Sequence, residues 1–291
     1  MRVIEDLGAM RDACAEARRG GARLGLVPTM GFLHAGHLRL VEAARERAGR
    51  VAMSIFVNPL QFGPQEDFSR YPRDAERDRG LAASAGVDLL WMPTREAMYP
   101  EAPRVTVAPG PMAEGYEGAV RPGHFAGVLT VVLKLFAVVD PDVAVFGRKD
   151  VQQAALVRRM AADFNLRVEV EVAPTVREPD GLALSSRNVH LDAEARRRAV
   201  LLSHALAAGV ARFRGGERDG AAIATAARAV LDAEPAIAVD YVACIEPATF
   251  TAAERANETT VLAVAARLGP TRLIDNVILG EGLESDVRLP G

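Results

Sequence analysis

The sequence predicts an α/β protein with a parallel sheet, helices on both faces of that sheet, and a smaller α+β domain later in the chain. Short apolar segments alternate with helix-like segments through about the first 175 of the 291 residues, the pattern of a parallel sheet connected by helices. After that point, helical segments come first and strand-like segments follow. We therefore expect a larger domain at residues 1–175, a smaller domain at 176–283 and a tail at 284–291.

The larger domain is predicted to alternate strands and helices from its first residues. The segment 125–139 is strongly apolar, which indicates a helix buried on most sides. In chain order, the predicted strands lie at 3–4, 24–27, 51–57, 87–92, 143–146 and 168–172, and the predicted helices at 7–19, 38–50, 73–85, 125–139 and 151–164.

The smaller domain is predicted to begin with a loop and two Ala-rich helices. The loop covers 177–188, and the chain from residue 280 onward is expected to be poorly ordered, as chain ends often are. The predicted helices lie at 192–214 and 220–233, and the predicted strands at 239–245, 260–265 and 273–277.

Composition and charge exclude several classes of protein. Apolar residues make up 49% and charged residues 25% of the chain, as in ordinary globular proteins. A net charge of −3 with scattered basic residues argues against nucleic acid or a membrane surface as partner. No apolar run is as long as a membrane span, the start lacks a signal-peptide core, and Cys14 and Cys244 are too few for a disulfide framework. We expect a cytoplasmic protein.

The segment from Pro28 to His37 is the strongest functional signal in the chain. It lies between a predicted strand and a predicted helix and carries two glycines and two histidines, His34 and His37. A helix N-terminus offers free N–H groups to anions, and glycine lets the backbone come close to a ligand. Histidines add donors to charge that develops on a phosphate. This turn is therefore a predicted phosphate site.

Further polar side chains follow other predicted strands of the same sheet. Since the carboxyl ends of parallel strands share one edge, these loops are expected to line a single pocket. The side-chain amides of the asparagine and glutamines among them suit a substrate with hydroxyl and carboxylate groups, and Lys149 suits a phosphate. A loop with two serines and an arginine suits a triphosphate. The residues are Asn58, Gln61 and Gln65, then Gly147, Lys149, Asp150 and Gln153, then Ser185, Ser186 and Arg187.

Several of these residues admit a second interpretation from sequence. His34 and His37 have a spacing that also binds zinc, although no third ligand stands out. Asn58 is equally suited to capping a turn. Asp150 suits a ribose hydroxyl, a magnesium ion or a helix cap. Arg121 and His124 either cover the pocket or belong to a structured loop.

In type and order, these motifs resemble the pantothenate synthetase (pantoate–β-alanine ligase) family. The resemblance runs from about residue 1 to about residue 280, and its specificity comes from the number of motifs in order. One departure is Arg148, which stands where family members often have Glu or Gln, and we expect its side chain to point away with little effect on chemistry. The matching segments are 28–37, 56–62, 71–73, 121–125, 134–136, 146–150, 152–153 and 184–188.

The resemblance implies a fold and a reaction. It implies a Rossmann-like nucleotidyltransferase domain, a smaller C-terminal lid domain and a homodimer. It also implies that pantoate attacks the α-phosphorus of ATP, with Mg²⁺ present, to give pantoyl adenylate and pyrophosphate. The amine of β-alanine then attacks the activated carbonyl and releases AMP and pantothenate.

The resemblance also implies roles for individual residues. His37 is expected nearest the α-phosphate, with His34, Lys149, Ser186 and Arg187 sharing the catalytic task. Gln61 is expected to bind pantoate and β-alanine and Gln153 to bind pantoate, with Asn58 nearby; Asp78 is a weak candidate for a metal ligand. The expected ATP-binding residues are Met30, Gly31, Phe32, Leu33, His34, Ala35, Gly36, His37, Gly147, Arg148, Lys149, Asp150, Val176, Leu184, Ser185, Ser186 and Arg187.

Two other functions are weighed against this one. A plain nucleotidyltransferase would use the same histidine turn but needs a basic pocket for a phosphorylated acceptor, which Gln61 and Gln153 argue against. A nucleotide-binding sensor without catalysis need not keep His37, Lys149 and the Ser-Ser-Arg loop together. AMP formation that depends on β-alanine would distinguish the ligase from the plain nucleotidyltransferase. Nucleotide binding without pyrophosphate release would indicate the sensor.

Overall fold

The computed structural model describes residues 1–64, 66 and 68–290 and divides the chain into two compact units. Unit 1 comprises Met1–Gly147 and Gln153–Ala173, and unit 2 comprises Arg148–Gln152 and Pro174–Gly291. Unit 2 thus takes a short segment from the middle of the chain, at the end of a strand of unit 1. Gln65, which the sequence analysis places after the third strand, lies outside the described residues.

Unit 1 contains six parallel strands in the order β1-β4-β3-β2-β5-β6. From β2 the chain runs outward to β3 and β4 on one side, and β5 and β6 lie on the other. This reversal is the topological switch point at which such sheets bind ligands. The strands are β1 Arg2–Ile4, β2 Leu24–Thr29, β3 Arg50–Ile55, β4 Leu89–Trp91, β5 Val143–Gly147 and β6 Glu169–Ala173.

Helices cover both faces of this sheet, as the alternating pattern predicts. One apolar cluster joins residues of α1, α6 and α7 to the sheet, and a second joins residues of α2 and α3 to it. The helix α6 is buried along most of its length, as its composition indicates. The helices are α1 Leu7–Ala17, α2 Ala35–Arg47, α3 Ala75–Ser84, α4 Arg95–Met98, α5 Glu117–Val120, α6 His124–Val139 and α7 Val151–Asp163, the last of which begins in unit 2.

Unit 2 is built on an antiparallel sheet of three strands in the order β10-β9-β8. A separate apolar core joins this sheet to its helices. The predicted helix 192–214 is two helices, because Val200 has φ −61° and ψ −24°, a tighter geometry near that of a 3₁₀ turn. The elements are β7 Val176–Arg177, α8 Ala193–Ala199, α9 Leu201–Arg214, α10 Gly220–Asp232, β8 Ile237–Ile245, β9 Val261–Leu268, β10 Thr271–Ile278 and β11 Val287–Arg288.

The end of the chain differs from the sequence expectation. A 3₁₀ turn at Leu283–Ser285 precedes β11, and β11 pairs in parallel with β7, whose second residue, Arg177, was predicted to begin a loop. The expectation of a poorly ordered end is therefore wrong for these residues. The physical reason is Asp286, a buried carboxylate whose ion pairs bring the segment onto unit 2. Among the described residues, no helix has the length and apolarity needed to cross a membrane.

Candidate active site

The turn after β2 is shaped by hydrogen bonds of Thr29, the last residue of that strand. The hydroxyl of Thr29 donates to the carbonyl of Ser54 at 2.8 Å and accepts the amide of Gly31 at 3.2 Å. Gly31 has φ +85°, and a Cβ here would lie 2.8 Å from Cγ2 of Ile55 and 3.0 Å from Oδ2 of Asp78. Glycine is therefore required here by backbone conformation and by close packing.

Asp78 holds the next two residues of the turn. Its two carboxylate oxygens accept the backbone amides of Phe32 and Leu33, each at 2.7 Å, and its side chain is 2% exposed. Phe32 adopts φ +50°, a costly conformation that these bonds stabilise. Asp78 thus has a structural role in the turn; its role as a magnesium ligand stays a prediction, and this geometry does not favour it.

His34 and His37 form a reciprocal cap at the start of α2. Nδ1 of His37 accepts the backbone amide of His34, and Nδ1 of His34 accepts the amide of Gly36, both at 3.2 Å. A ring nitrogen that accepts a hydrogen bond carries no proton, so in each neutral ring the proton lies on Nε2. The ring centroids are 4.1 Å apart. The turn therefore carries two adjacent imidazole N–H groups, a donor type that is suited to phosphate oxygens.

Asn58 and Gln61 form a buried amide pair after β3. The Nδ2 group of Asn58 donates to Oε1 of Gln61 at 3.1 Å and to the carbonyl of Gly127 at 3.0 Å. Oδ1 of Asn58 accepts the amide of Leu60 and the hydroxyl of Tyr99. With both ends of its amide engaged, Asn58 caps the turn and orients Gln61. Of its two sequence interpretations, the structure favours the cap.

Gln61 links this amide pair to the histidine turn. Its Nε2 lies 3.0 Å from Sδ of Met30, the residue directly before Gly31. Burial raises the pKa of Tyr99 to about 12, so this hydroxyl remains a donor to Asn58 at neutral pH. The structure thus brings Met30, the histidine turn and Gln61 together at the carboxyl ends of the adjacent strands β2 and β3. Tyr99 was not singled out from sequence.

A cluster of His124, Arg121 and Glu66 contacts the backbone carbonyl of Gln61. Nδ1 of His124 lies 2.8 Å from the carbonyl oxygen of Gln61, and Nε2 of His124 lies 2.9 Å from Nη1 of Arg121. The carbonyl can only accept and the guanidinium can only donate, so His124 is neutral with its proton on Nδ1. Arg121 also makes a two-pronged ion pair with Glu66 at 2.7 and 2.8 Å.

The environment of this cluster keeps His124 uncharged. Burial, and then the charge of Arg121, lower the pKa of His124 from 6.5 to about 4. Burial acts to raise the pKa of Glu66, but the bonds and charge of Arg121 outweigh it, and the pKa is lowered overall. Arg121 and His124 therefore support the turn that carries Gln61. The Arg-Pro-Gly-His sequence suggested such a loop, whereas Glu66 carried no recognisable signal.

The remaining predicted residues lie in unit 2, apart from Gly147 at the end of β5 and the half-buried Gln153 on α7. A 3₁₀ turn, Arg148–Asp150, carries the half-buried Lys149 and the exposed Asp150. The side-chain amide of Asn276 donates to the carbonyls of Arg148 and Lys149 at 3.0 and 2.9 Å. Asn276 therefore fixes this turn. Its only sequence signal was a polar pair, Asp275-Asn276, within an apolar strand.

The Ser-Ser-Arg segment is ordered by local hydrogen bonds. The hydroxyl of Ser185 accepts the amide of Arg187 at 3.2 Å and so caps a 3₁₀ helix, Ser186–His190. Asn188 donates to the carbonyl of Ala183 at 3.1 Å, and the amide of Leu184 donates to the carbonyl of Val176. The segment expected to be a loop is therefore partly regular, and the amide of Leu184 bonds it to β7.

The described residues contain no cluster of three or more His, Cys, Asp or Glu side chains able to hold a metal ion.

Comparison with protein families identifies one family along almost the entire chain. The model of the family described as "Pantoate-beta-alanine ligase" matches residues 2–278. The pantothenate synthetase of Roseiflexus castenholzii is 51% identical over 96% of this chain and 99% of its own length. That of Moorella thermoacetica is 50% identical with the same coverage of both chains.

Solved structures agree with this result. The pantothenate synthetase of Thermus thermophilus has a TM-score of 0.91 and 48% identity, over 96% of this chain and 99% of its own. The pantoate-beta-alanine ligase of Francisella tularensis, complexed with beta-gamma ATP and beta-alanine, has a TM-score of 0.79 and 30% identity, over 97% and 99%. The fold, the paired histidines of the turn and these matches lead to one conclusion: the chain belongs to the pantoate-beta-alanine ligase family.

Proposed function

We propose that the chain is an ATP-dependent, AMP-forming ligase that condenses (R)-pantoate with β-alanine to give pantothenate. Family membership supports the activity, and the Francisella tularensis relative complexed with ATP and β-alanine supports two of the substrates. The observation that carries the proposal is the pair of imidazole N–H donors at the switch point of the sheet. They lie beside a buried amide pair suited to a small hydroxy acid.

The chemistry requires activation of a carboxylate, because its oxygen is a poor leaving group. In the first step an oxygen of pantoate bonds to the α-phosphorus of ATP, and the bond to pyrophosphate breaks. In the second step the amine of β-alanine attacks the acyl carbon, AMP leaves with the bonding electrons, and the amine loses a proton. The protein contributes position and charge stabilisation and needs no nucleophile of its own.

His37 is proposed to donate from Nε2 to the α-phosphate as negative charge shifts during the first step. His34 is proposed to act beside it in the same way, and Lys149, Ser186 and Arg187 to stabilise the β- and γ-phosphates and the leaving pyrophosphate. The neutral state of both imidazoles suits donation of a hydrogen bond without transfer of the proton. Backbone groups near Gly147 and Val176, with Asp150, are proposed for the adenosine.

Gln61 and Gln153 are proposed to bind pantoate, and Gln61 also β-alanine. An uncharged amide can donate to a carboxylate or hydroxyl and accept from an ammonium or hydroxyl group. Asn58 acts through Gln61, since its own amide is engaged with Gln61, Gly127, Leu60 and Tyr99. The plain nucleotidyltransferase is disfavoured by these amides, and the sensor by the complete set of catalytic side chains.

Magnesium, a homodimer and a cytoplasmic location are further parts of the proposal. When bound with ATP, Mg²⁺ neutralises phosphate charge; phosphates and water would hold it, because Asp78 already accepts two backbone amides. The location is supported by the lack, among the described helices, of one able to span a membrane.

The deciding experiment measures pyrophosphate and AMP release from ATP and Mg²⁺. We expect pyrophosphate release that requires pantoate, and AMP and pantothenate only after β-alanine is added. Pyrophosphate release without pantoate, or AMP formation indifferent to β-alanine, would contradict the proposed reaction. A matched control replaces pantoate by a carboxylic acid without hydroxyl groups, which Gln61 and Gln153 should bind poorly.

A further inference from the structure

The segment 281–289 contains one buried carboxylate that pairs with two arginines elsewhere in unit 2. The side chain of Asp286 is 1% exposed; its Oδ1 lies 2.6 Å from Nη2 of Arg148, and its Oδ2 lies 2.6 Å from Nε of Arg177. Arg148 also pairs with Glu281 and donates to the hydroxyl of Ser285. The segment lies beyond the range that the family model matches.

The two arginines that Asp286 joins belong to the two parts of unit 2 that carry the residues proposed to bind the triphosphate. Arg148 directly precedes Lys149 in the 3₁₀ turn. Arg177 ends β7, and the carbonyl of Val176, the other residue of β7, accepts the amide of Leu184, next to Ser185. A single side chain therefore ties the Lys149 turn to the strand that leads into the Ser-Ser-Arg segment.

Charges and backbone bonds make this connection specific. The fully buried Arg177 binds Asp275 through both Nη atoms at 2.6 and 3.0 Å. The two positive charges of Arg148 and Arg177 are thus matched by the two negative charges of Asp275 and Asp286. Backbone pairing aligns the segment: the amide of Val287 donates to the carbonyl of Thr175, and that of Leu289 to the carbonyl of Arg177. Asn276, next to Asp275, holds the carbonyls of Arg148 and Lys149.

We propose that residues 281–289 form a strap in which Asp286, acting with Arg148, is a positioning residue for the nucleotide. The strap keeps Lys149 and the Ser185–Arg187 segment in the relative arrangement that a triphosphate requires. Neither Asp286 nor Arg148 touches the reacting atoms in this scheme. The inference rests on the proposed function in one respect, that ATP binds the Lys149 turn.

The test compares Asp286→Asn with the unmodified chain in two measurements. Binding of ATP with Mg²⁺, without pantoate, is followed by calorimetry, and the KM values for ATP and β-alanine are taken from pyrophosphate release. We expect ATP affinity to fall about tenfold, since misplacing a charged contact weakens it strongly, while the KM for β-alanine stays unchanged. The matched control is Glu284→Gln, which removes an exposed charge from the same segment and should leave both values unchanged.

A second variant guards against misfolding. Arg148→Gln combined with Asp286→Asn cuts the connection but leaves Arg177 and Asp275 as a balanced pair, so this variant should fold and still bind ATP weakly. Asp286→Glu should restore part of the affinity. Wild-type ATP affinity in both Asn variants, even with a lowered melting temperature, would overturn the inference.

The same data separate this inference from the proposed function. If the unmodified chain binds ATP but shows no pantoate-dependent pyrophosphate release, the proposed reaction fails, and the strap is judged by ATP affinity alone. If the unmodified chain does not bind ATP, both are overturned.

Discussion

The two regions proposed to handle ATP are held in place by different forces. The histidine turn of unit 1 is fixed by neutral groups and one carboxylate: Asp78 accepts two backbone amides, and His34 and His37 cap each other. The Lys149 turn of unit 2 is held by the amide of Asn276 and, in addition, by a buried network of two arginines and two aspartates. Only the second arrangement depends on the balance of several buried charges, so the two should fail under different substitutions.

Arg177→Met gives the largest expected loss of stability and tests the ionic region. It leaves Asp275 and Asp286 buried with Arg148 as their remaining cation in this network, and a broken buried pair costs about 3–5 kcal/mol. We expect the free energy of unfolding, measured with urea, to fall by that amount. The control Asp232→Asn breaks an exposed helical pair with Arg228 and should cost about 0.5 kcal/mol or less. A loss below about 1 kcal/mol in Arg177→Met would mean that charge balance does not hold this region.

His37→Ala tests the neutral region through its chemistry. Removing a donor that stabilises transition-state charge should lower the rate of pantoate-dependent pyrophosphate release about 10²-fold or more. Stability should change little compared with that loss, because the helix start keeps the cap from His34 to Gly36. His204→Ala, at an exposed position of α9, is the matched control. A near-normal rate would refute the role of His37.

Asp78→Ala tests whether the same turn depends on its anchor. The amides of Phe32 and Leu33 would lose their acceptors, and an unsatisfied buried group costs about 1–3 kcal/mol. We expect a loss of about 2 kcal/mol in unfolding free energy and a slower first step. Asp78→Asn keeps one amide oxygen as acceptor and should lose less. Equal losses in the two variants would show that these hydrogen bonds do not stabilise the turn.

Acid should weaken unit 1 through His124, and this is the smallest effect. Its pKa is lowered from 6.5 to about 4, so the unfolded chain takes up the proton first. The contribution of neutral His124 to the free energy of unfolding is therefore fully present above pH 6.5 and is lost as the pH falls toward 4. At pH 5.5 the loss from this group should be about 1 kcal/mol. His124→Asn keeps a donor near the position of Nδ1 but does not titrate, and its unfolding free energy should depend less on pH between 7 and 5.5; an unchanged dependence would contradict the assignment.

Sequence reasoning was most successful where periodicity and local motifs decide the structure. The alternation of strands and helices predicted the parallel sheet and its helices, and the Gly/His turn was correctly placed between β2 and α2. The family was recognised from motifs in order. The roles of the site residues remain predictions, because neither the geometry nor the relatives test them one by one.

What sequence reasoning missed depends on contacts between residues far apart in the chain. The pairing of Asp286 with Arg177 spans 109 residues, and no local pattern marks Asp286 as buried. Asp78 was considered a weak candidate for a metal ligand; its charge is visible in the sequence, whereas the two backbone amides that it accepts are not. Glu66 and Tyr99 are likewise meaningful only beside Arg121 and Asn58.

The late position of Asp286 has a consequence for synthesis of the chain. Arg177 leaves the ribosome 109 residues before its partner, a delay on the order of 10 s at common rates of translation. All strands of the six-stranded sheet have been made by then, whereas the charge network of unit 2 is incomplete. A nascent chain interrupted shortly before residue 286 would therefore contain every strand of the six-stranded sheet, while Arg177 would have Asp275 but lack its second carboxylate partner.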